Sequence, residues 1–314
     1  MNRRTILTGT LSTLLAGCGG GAASLDLSDA EQRWPPQGRF VEAQGVRVHT
    51  WEQGQGQPVI LIHGASGNLR DWTFSLGPEI ARKRRAIAFD RPGLGYSGRP
   101  AERGGDPAVQ ARILRAASLA MGIERPILVG HSWGAALAMA WAIADPHGVA
   151  GVVTVSGAVM PWSERPALVE LLSIDRLLVG AYLNYVRSTA ADGGIERFVT
   201  RIFRPQMPPD GYIDHVGGPL SLRPEVQRAN REDISTLSTA LRRQAPDYSR
   251  VTLPVEVISG TADPIIRPER HPVPFDRVLP NSRLTLLDNV GHMAHHARPD
   301  ALMAALDRLD PASA

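Results

Sequence analysis

The chain of 314 residues predicts an α/β fold: a mostly parallel central sheet, helices on both faces, and a mainly helical insertion. Three observations predict it. Apolar runs such as Pro58-Val59-Ile60-Leu61-Ile62 and Ile127-Leu128-Val129 have the composition of strands buried on both faces. Stretches with helical spacing alternate with these runs, and such alternation assembles into parallel sheets. The rhythm stops between Ala158 and Arg250, and an interval of roughly ninety residues is too long for a loop inside a compact domain.

In chain order, residues 46–51 alternate like a half-exposed strand, and Gly54-Gln55-Gly56 turns the chain into the buried strand at 58–62. Residues 85–89 form the next strand and end at Asp90. Helical spacing over 109–121 precedes a strand at 126–129 and a small-residue helix beginning near Ala135. A strand follows at 152–156. Within the insertion, 168–186 and 223–243 have helical spacing, separated by loops such as Arg204-Pro205-Gln206-Met207-Pro208-Pro209. Strands at 255–259 and 284–287 and a helix over 300–309 close the chain. The expected organisation is a core over 39–158 and 251–314 with a helical cap over 159–250.

The composition is ordinary for a globular protein, 43% hydrophobic and 21% charged, with a net charge of +3. Lys83 is the sole lysine and the arginines are dispersed. The longest basic run, Arg82-Lys83-Arg84-Arg85, reads as a solvated helix end rather than a nucleic-acid surface. The first residues follow a different logic. Asn2-Arg3-Arg4 is a short basic segment, and the apolar stretch after it is too brief to span a bilayer, as in a signal peptide. Leu15-Ala16-Gly17-Cys18 resembles the lipobox of bacterial lipoproteins. That resemblance implies cleavage before Cys18, lipidation of its thiol, and an exported protein on the periplasmic side of a membrane or at the cell surface. The Arg3-Arg4 pair leaves both general and twin-arginine export open. Cys18 is the only cysteine, so no internal disulfide can form. Residues 19–38 read as a flexible tether.

Gly130-His131-Ser132-Trp133-Gly134 lies between a buried strand and a helix, the context in which a G-x-S-x-G turn lifts a serine above a sheet edge. A serine hydroxyl needs a base, and the base needs an orienting acid. His292 follows the last strand and Asp263 follows the strand before it, so the order Ser132, Asp263, His292 places all three at strand C-terminal ends. Asp288 is the rival acid, nearer in sequence but within an Asp-Asn turn. Oxyanion donors are expected from the backbone N–H of Trp133 and that of Ala65, in the loop His63-Gly64-Ala65-Ser66. His63 and His131 read as loop-orienting residues. No histidine or cysteine cluster has metal-ligand spacing, and Gly93-Leu94-Gly95 lacks the third glycine of a dinucleotide fingerprint.

With these motifs, residues 40–310 resemble a serine-type α/β-hydrolase with a helical cap. The stretch Asp90, Gly93, Gly95 and Ser97 matches a structural turn of that family. Ala297 departs from the glutamate that relatives often carry there. The resemblance implies hydrolysis of an acyl bond, a carboxylic ester of a small or medium apolar substrate, without cofactor or metal. The same triad also serves carbon–carbon bond hydrolysis, lactone opening and peptide cleavage after proline, and a slow-turnover ligand receptor would keep it as well. Ser132 argues against dehalogenase chemistry, which uses an aspartate nucleophile. Trp133, Met160 and Trp162 are the candidate pocket walls, and the cap residues Tyr182, Leu183 and Tyr185 serve either pocket or cap core.

Overall fold

The computed structural model describes residues 27–162 and 193–310. Cys18 and the leader lie outside the described residues. So do Tyr182, Leu183, Tyr185 and the helix expected over 168–186.

Eight strands form one sheet: β1 Arg39–Ala43, β2 Val46–Gln53, β3 Pro58–Ile62, β4 Arg85–Phe89, β5 Ile127–His131, β6 Gly151–Val155, β7 Val255–Gly260 and β8 Ser282–Leu287. Their spatial order is β1-β2-β4-β3-β5-β6-β7-β8. The pairs β1–β2 and β2–β4 are antiparallel, and the remaining neighbours are parallel. The described helices are α1 Leu27–Arg33, α2 Arg70–Thr73, α3 Leu76–Ile80, α4 Pro107–Ala120, α5 Trp133–Ala144, α6 Gly194–Phe203, α7 Tyr212–Val216, α8 Pro224–Gln244, α9 Pro272–Val278, α10 Ala294–Ala297 and α11 Pro299–Leu309.

Side-chain alternation explains why the central strands are largely apolar. Ile60, Ile62, Leu128 and Val152 point to the face covered by α4 and α5. Val59, Leu61, Val129 and Val153 point to the face covered by α3 and α11. Each face thus has its own core, and a polar residue on either side would need a buried partner. The described part of the insertion, 193–250, is mainly helical: a loop over 204–211 joins α6 to α7, a 3₁₀ helix at Gly218–Leu222 joins α7 to α8, and another at Ala245–Arg250 follows α8.

Two elements differ from expectation. β1 pairs with β2 through the two-residue turn Gln44-Gly45, whose φ values are 51° and 74°. Residues 27–33, expected within the flexible tether, form α1 instead. Ala30 is buried, Arg33 pairs with Asp214 at 2.6 Å, Glu31 pairs with Arg223 at 2.5 Å, and Trp34 Nε1 donates to Asp214 O at 2.6 Å. The segment is fixed by polar contacts to the insertion, so its own sequence carries little apolar signal. Among the described residues, no helix is long and apolar enough to cross a membrane.

Candidate active site

Ser132 stands at the junction of β5 and α5 with φ 52° and ψ −117°. Such a conformation costs free energy for a non-glycine residue and persists only where surrounding bonds over-determine it. They do here. Ser132 N–H donates to Val155 O at 2.9 Å, and Ser132 O accepts from Ala135 N–H at 3.1 Å and Ala158 N–H at 3.0 Å.

The flanking glycines are needed for close approach. A β-carbon on Gly134 would stand 2.5 Å from Ile62 O and 2.7 Å from His63 O, and one on Gly64 would stand 3.1 Å from Ser132 Cβ. β3 and β5 are parallel neighbours with Ile62 opposite Gly130, so the loops leaving them meet at these two glycines. Gly134→Ala should therefore lower the unfolding free energy by about 1–3 kcal/mol through overpacking. Urea denaturation with an unchanged midpoint would contradict that.

β7 and β8 bring the other two residues together. Gly260 lies opposite Leu287, and in the loops beyond, His292 Nδ1 is 2.8 Å from Asp263 Oδ2, both buried. Asp263 Oδ1 accepts from the N–H groups of Ile265 at 2.8 Å and Ile266 at 2.9 Å, which fixes the carboxylate plane. Asp288 is exposed, with Oδ1 3.3 Å from Thr261 Oγ1. The elbow contacts the histidine loop through His131, whose Nε2 is 3.2 Å from His292 O and whose ring centroid is 4.9 Å from that of His292. Among the described residues, Ser132 Oγ and His292 Nε2 have no hydrogen-bond partner, each other included. Such contacts commonly close only with substrate bound.

The backbone N–H groups of Ala65 and Trp133 also have no acceptor among the described residues. His63 explains part of the loop geometry. Its Nε2 accepts Arg91 N–H at 3.0 Å and its Nδ1 donates to Gly64 O at 2.9 Å. Burial pushes its pKa down to about 4 and so keeps the ring neutral, as this donor–acceptor pair requires.

The pocket candidates are placed unequally. Trp133 was expected as a wall, but its side chain is 2% exposed. Its Nε1 donates to Asp233 O at 3.1 Å and the Arg91 guanidinium lies 4.0 Å over its ring, so the indole is engaged at the junction with the insertion. Met160 and Trp162 are half-buried beside His271, whose Nδ1 accepts Met160 N–H at 3.3 Å.

Several residues of this region carry no local sequence signal. Asp71 accepts from Tyr212 OH at 2.7 Å and lies 2.7 Å from His296 Nε2 and 3.2 Å from His295 Nε2. Burial would push Asp71 up, but the charge and hydrogen bonds of His295 and His296 hold it well below the usual carboxylate range. Donor atoms of Asp71, His131 and His295 lie within 4.8 Å of one another. His295 Nδ1 is buried with no partner among the described residues, while His295 Nε2 is engaged by Asp71 and His131 Nε2 by His292 O in one hydrogen-bonded array. It also steadies the turn at Ala297, where Met293 O accepts the N–H groups of His296 and Ala297. A second buried network joins Arg91 Nη1 to Asp233 Oδ2 at 2.6 Å, with Arg99 and Gln110 also on Asp233.

The eight-stranded sheet, with Ser132, Asp263 and His292 on the loops leaving its strands, has the architecture of the α/β-hydrolase fold. Residues 57–299 match the family described as alpha/beta hydrolase fold, and the chain belongs to that family. It is similar to a 2-hydroxymuconate semialdehyde hydrolase of Pseudomonas sp. (strain CF600), 32% identical over 181 residues, which are 52% of this chain and 64% of that relative. The matched stretch thus spans just under two thirds of that protein. Haloalkane dehalogenase 2 of Mycobacterium bovis (strain ATCC BAA-935 / AF2122/97) is 26% identical over 297 residues, covering 90% of this chain and 98% of the relative. Among solved structures, a meta-cleavage product hydrolase from Pseudomonas fluorescens IP01 has a TM-score of 0.70 at 20% identity, covering 87% of this chain and 97% of that one. At that identity the likeness concerns the fold.

Proposed function

We propose that the chain is a serine hydrolase that cleaves an acyl bond, a carboxylic ester of a small or medium apolar substrate. The observation that carries the reading is Ser132 strained at φ 52° beside two backbone N–H groups that have no acceptor among the described residues, with the buried His292–Asp263 pair on the adjoining loops. Ser132 Oγ attacks the ester carbonyl as His292 Nε2 takes its proton. The Ala65 and Trp133 N–H groups receive the oxyanion. Collapse breaks the carbonyl–alkoxy bond, and His292 gives the proton to the departing alcohol. A water deprotonated by His292 then attacks the acyl-enzyme, releasing the acid and restoring Ser132.

Ser132→Ala should lower p-nitrophenyl butyrate hydrolysis by roughly 10⁵-fold while leaving the fold intact, and a fluorophosphonate should label wild type at Ser132 alone. Retained turnover in that variant would remove the mechanism. A second reading, carbon–carbon bond hydrolysis, is favoured by the relative named as a semialdehyde hydrolase. Turnover of 2-hydroxymuconate semialdehyde faster than of p-nitrophenyl esters would select it. The leader supports an exported protein held to a membrane through lipidated Cys18, and mass spectrometry of the mature N-terminus tests this. A chain retaining Met1 with an unmodified Cys18 thiol would overturn it.

A further inference from the structure

One turn of α8, in the insertion, reaches both proposed oxyanion donors. Asn230 Oδ1 accepts Ser66 N–H at 2.8 Å, and its Nδ2 donates to Ser66 Oγ at 2.8 Å. Ser66 has φ 59°, a left-handed conformation that a serine keeps when bonded in place. Ser66 directly follows Ala65, so this pair fixes one side of the Ala65 peptide. Arg91 fixes the other.

Arg91 Nη2 donates to Gly64 O at 3.2 Å and its Nε to His63 O at 3.1 Å. Gly64 C=O and Ala65 N–H belong to one planar trans peptide, so drawing the carbonyl toward Arg91 directs the N–H the opposite way. Arg91 is itself held by Asp233, 2.6 Å away, with both side chains fully buried. Asp233 O also accepts Trp133 Nε1–H, and Trp133 carries the second donor. Asn230 and Asp233 are three residues apart, one above the other on the helix.

We propose that this turn of α8 is a positioning element for the oxyanion hole. Asn230 and Asp233 act through Ser66, Arg91 and Trp133 rather than on substrate, so a displacement of α8 detunes the reaction without altering the triad. The inference rests on the serine-hydrolase reading.

Removing Asp233 would strand the buried Arg91, so the test is made at half-buried Asn230 in the full chain. Asn230→Ala should lower kcat for p-nitrophenyl butyrate about 10- to 100-fold. KM should stay within about threefold, and the rate of Ser132 phosphonylation by a fluorophosphonate should fall by the same factor as kcat/KM. Asn230→Asp keeps the acceptor for Ser66 N–H and should recover most of the loss. Arg231→Ala, on the exposed face of the same helix, should behave as wild type. Asn230→Leu, which keeps the heavy-atom count and branching of asparagine without its polar atoms, supplies the same measurement if the alanine variant does not fold.

Wild-type kcat in Asn230→Ala, a loss confined to KM, or an Asn230→Asp variant as impaired as the alanine one would each overturn the positioning role. Wild-type protein that is neither labelled nor dependent on Ser132 would instead remove the serine-hydrolase reading, so the two failures are distinguishable.

Discussion

Asp263→Asn is expected to lower kcat about 10⁴-fold with little change in thermal stability. The reason lies in what already surrounds the carboxylate. Ile265 and Ile266 N–H groups both donate to Oδ1. An asparagine must therefore place its carbonyl oxygen on that side and its NH₂ toward His292 Nδ1. The imidazole then accepts at Nδ1 and carries its proton on Nε2. In that tautomer Nε2 cannot take the Ser132 proton. The loss belongs in kcat, with KM nearly unchanged and the circular dichroism spectrum preserved. A variant within tenfold of wild type would take Asp263 out of the proposed mechanism. Asp288, exposed and turned to Thr261, would then need a rearranged loop to replace it.

How much of this was legible in the sequence depends on the range over which each feature is encoded. β3, β5 and β6 are continuous apolar runs because the sheet has a core on each face, and that pattern is local. Ser132, Asp263 and His292 were legible because each ends or follows a strand of a parallel sheet, where topology converts order along the chain into adjacency in space. β1 was missed although Gln44-Gly45, with positive φ at both residues, is a two-residue hairpin turn. That glycine was the available signal. α1 was missed because polar contacts to Asp214 and Arg223 hold it, and a seven-residue polar segment has little intrinsic helicity. Asp71, Arg91, Asn230 and Asp233 belong to a third group. Arg91 and Asp233 are 142 positions apart, and no spacing rule announces that a buried arginine in one loop finds its carboxylate on an inserted helix. The contacts of the Trp133 indole are long-range in the same way, since the groups that engage it come from Asp233 and Arg91.

Acid should unfold the protein well above the range where its carboxylates titrate, because burial holds several histidines neutral. Burial lowers His63, His271 and His295 to about 4 each, and it lowers His131 well below the ordinary histidine value. The sign follows from proton counting. Above pH ~6.5 these rings are neutral in both states and contribute no pH dependence. As pH falls below ~6.5 the unfolded chain takes up protons that the folded chain refuses until pH approaches 4. Stability is therefore lost across that window, at about 1.4 kcal/mol per pH unit for each such ring. Three rings together reach about 4 kcal/mol per unit, which exhausts the ~5–15 kcal/mol of an ordinary domain within a few units. Asp71, held low by its histidine partners, adds loss of the same sign only below pH ~4. Urea denaturation from pH 8 to pH 4 should show this slope, with proton uptake on unfolding near three or more at pH 5. His271→Asn is the internal check. Its Oδ1 can replace Nδ1 as acceptor for Met160 N–H yet cannot protonate, so it should match wild type at pH 8 and reduce the slope by about one proton. A slope unchanged in that variant would mean that His271 titrates in the folded protein as it does in the unfolded chain, and that burial does not set its protonation.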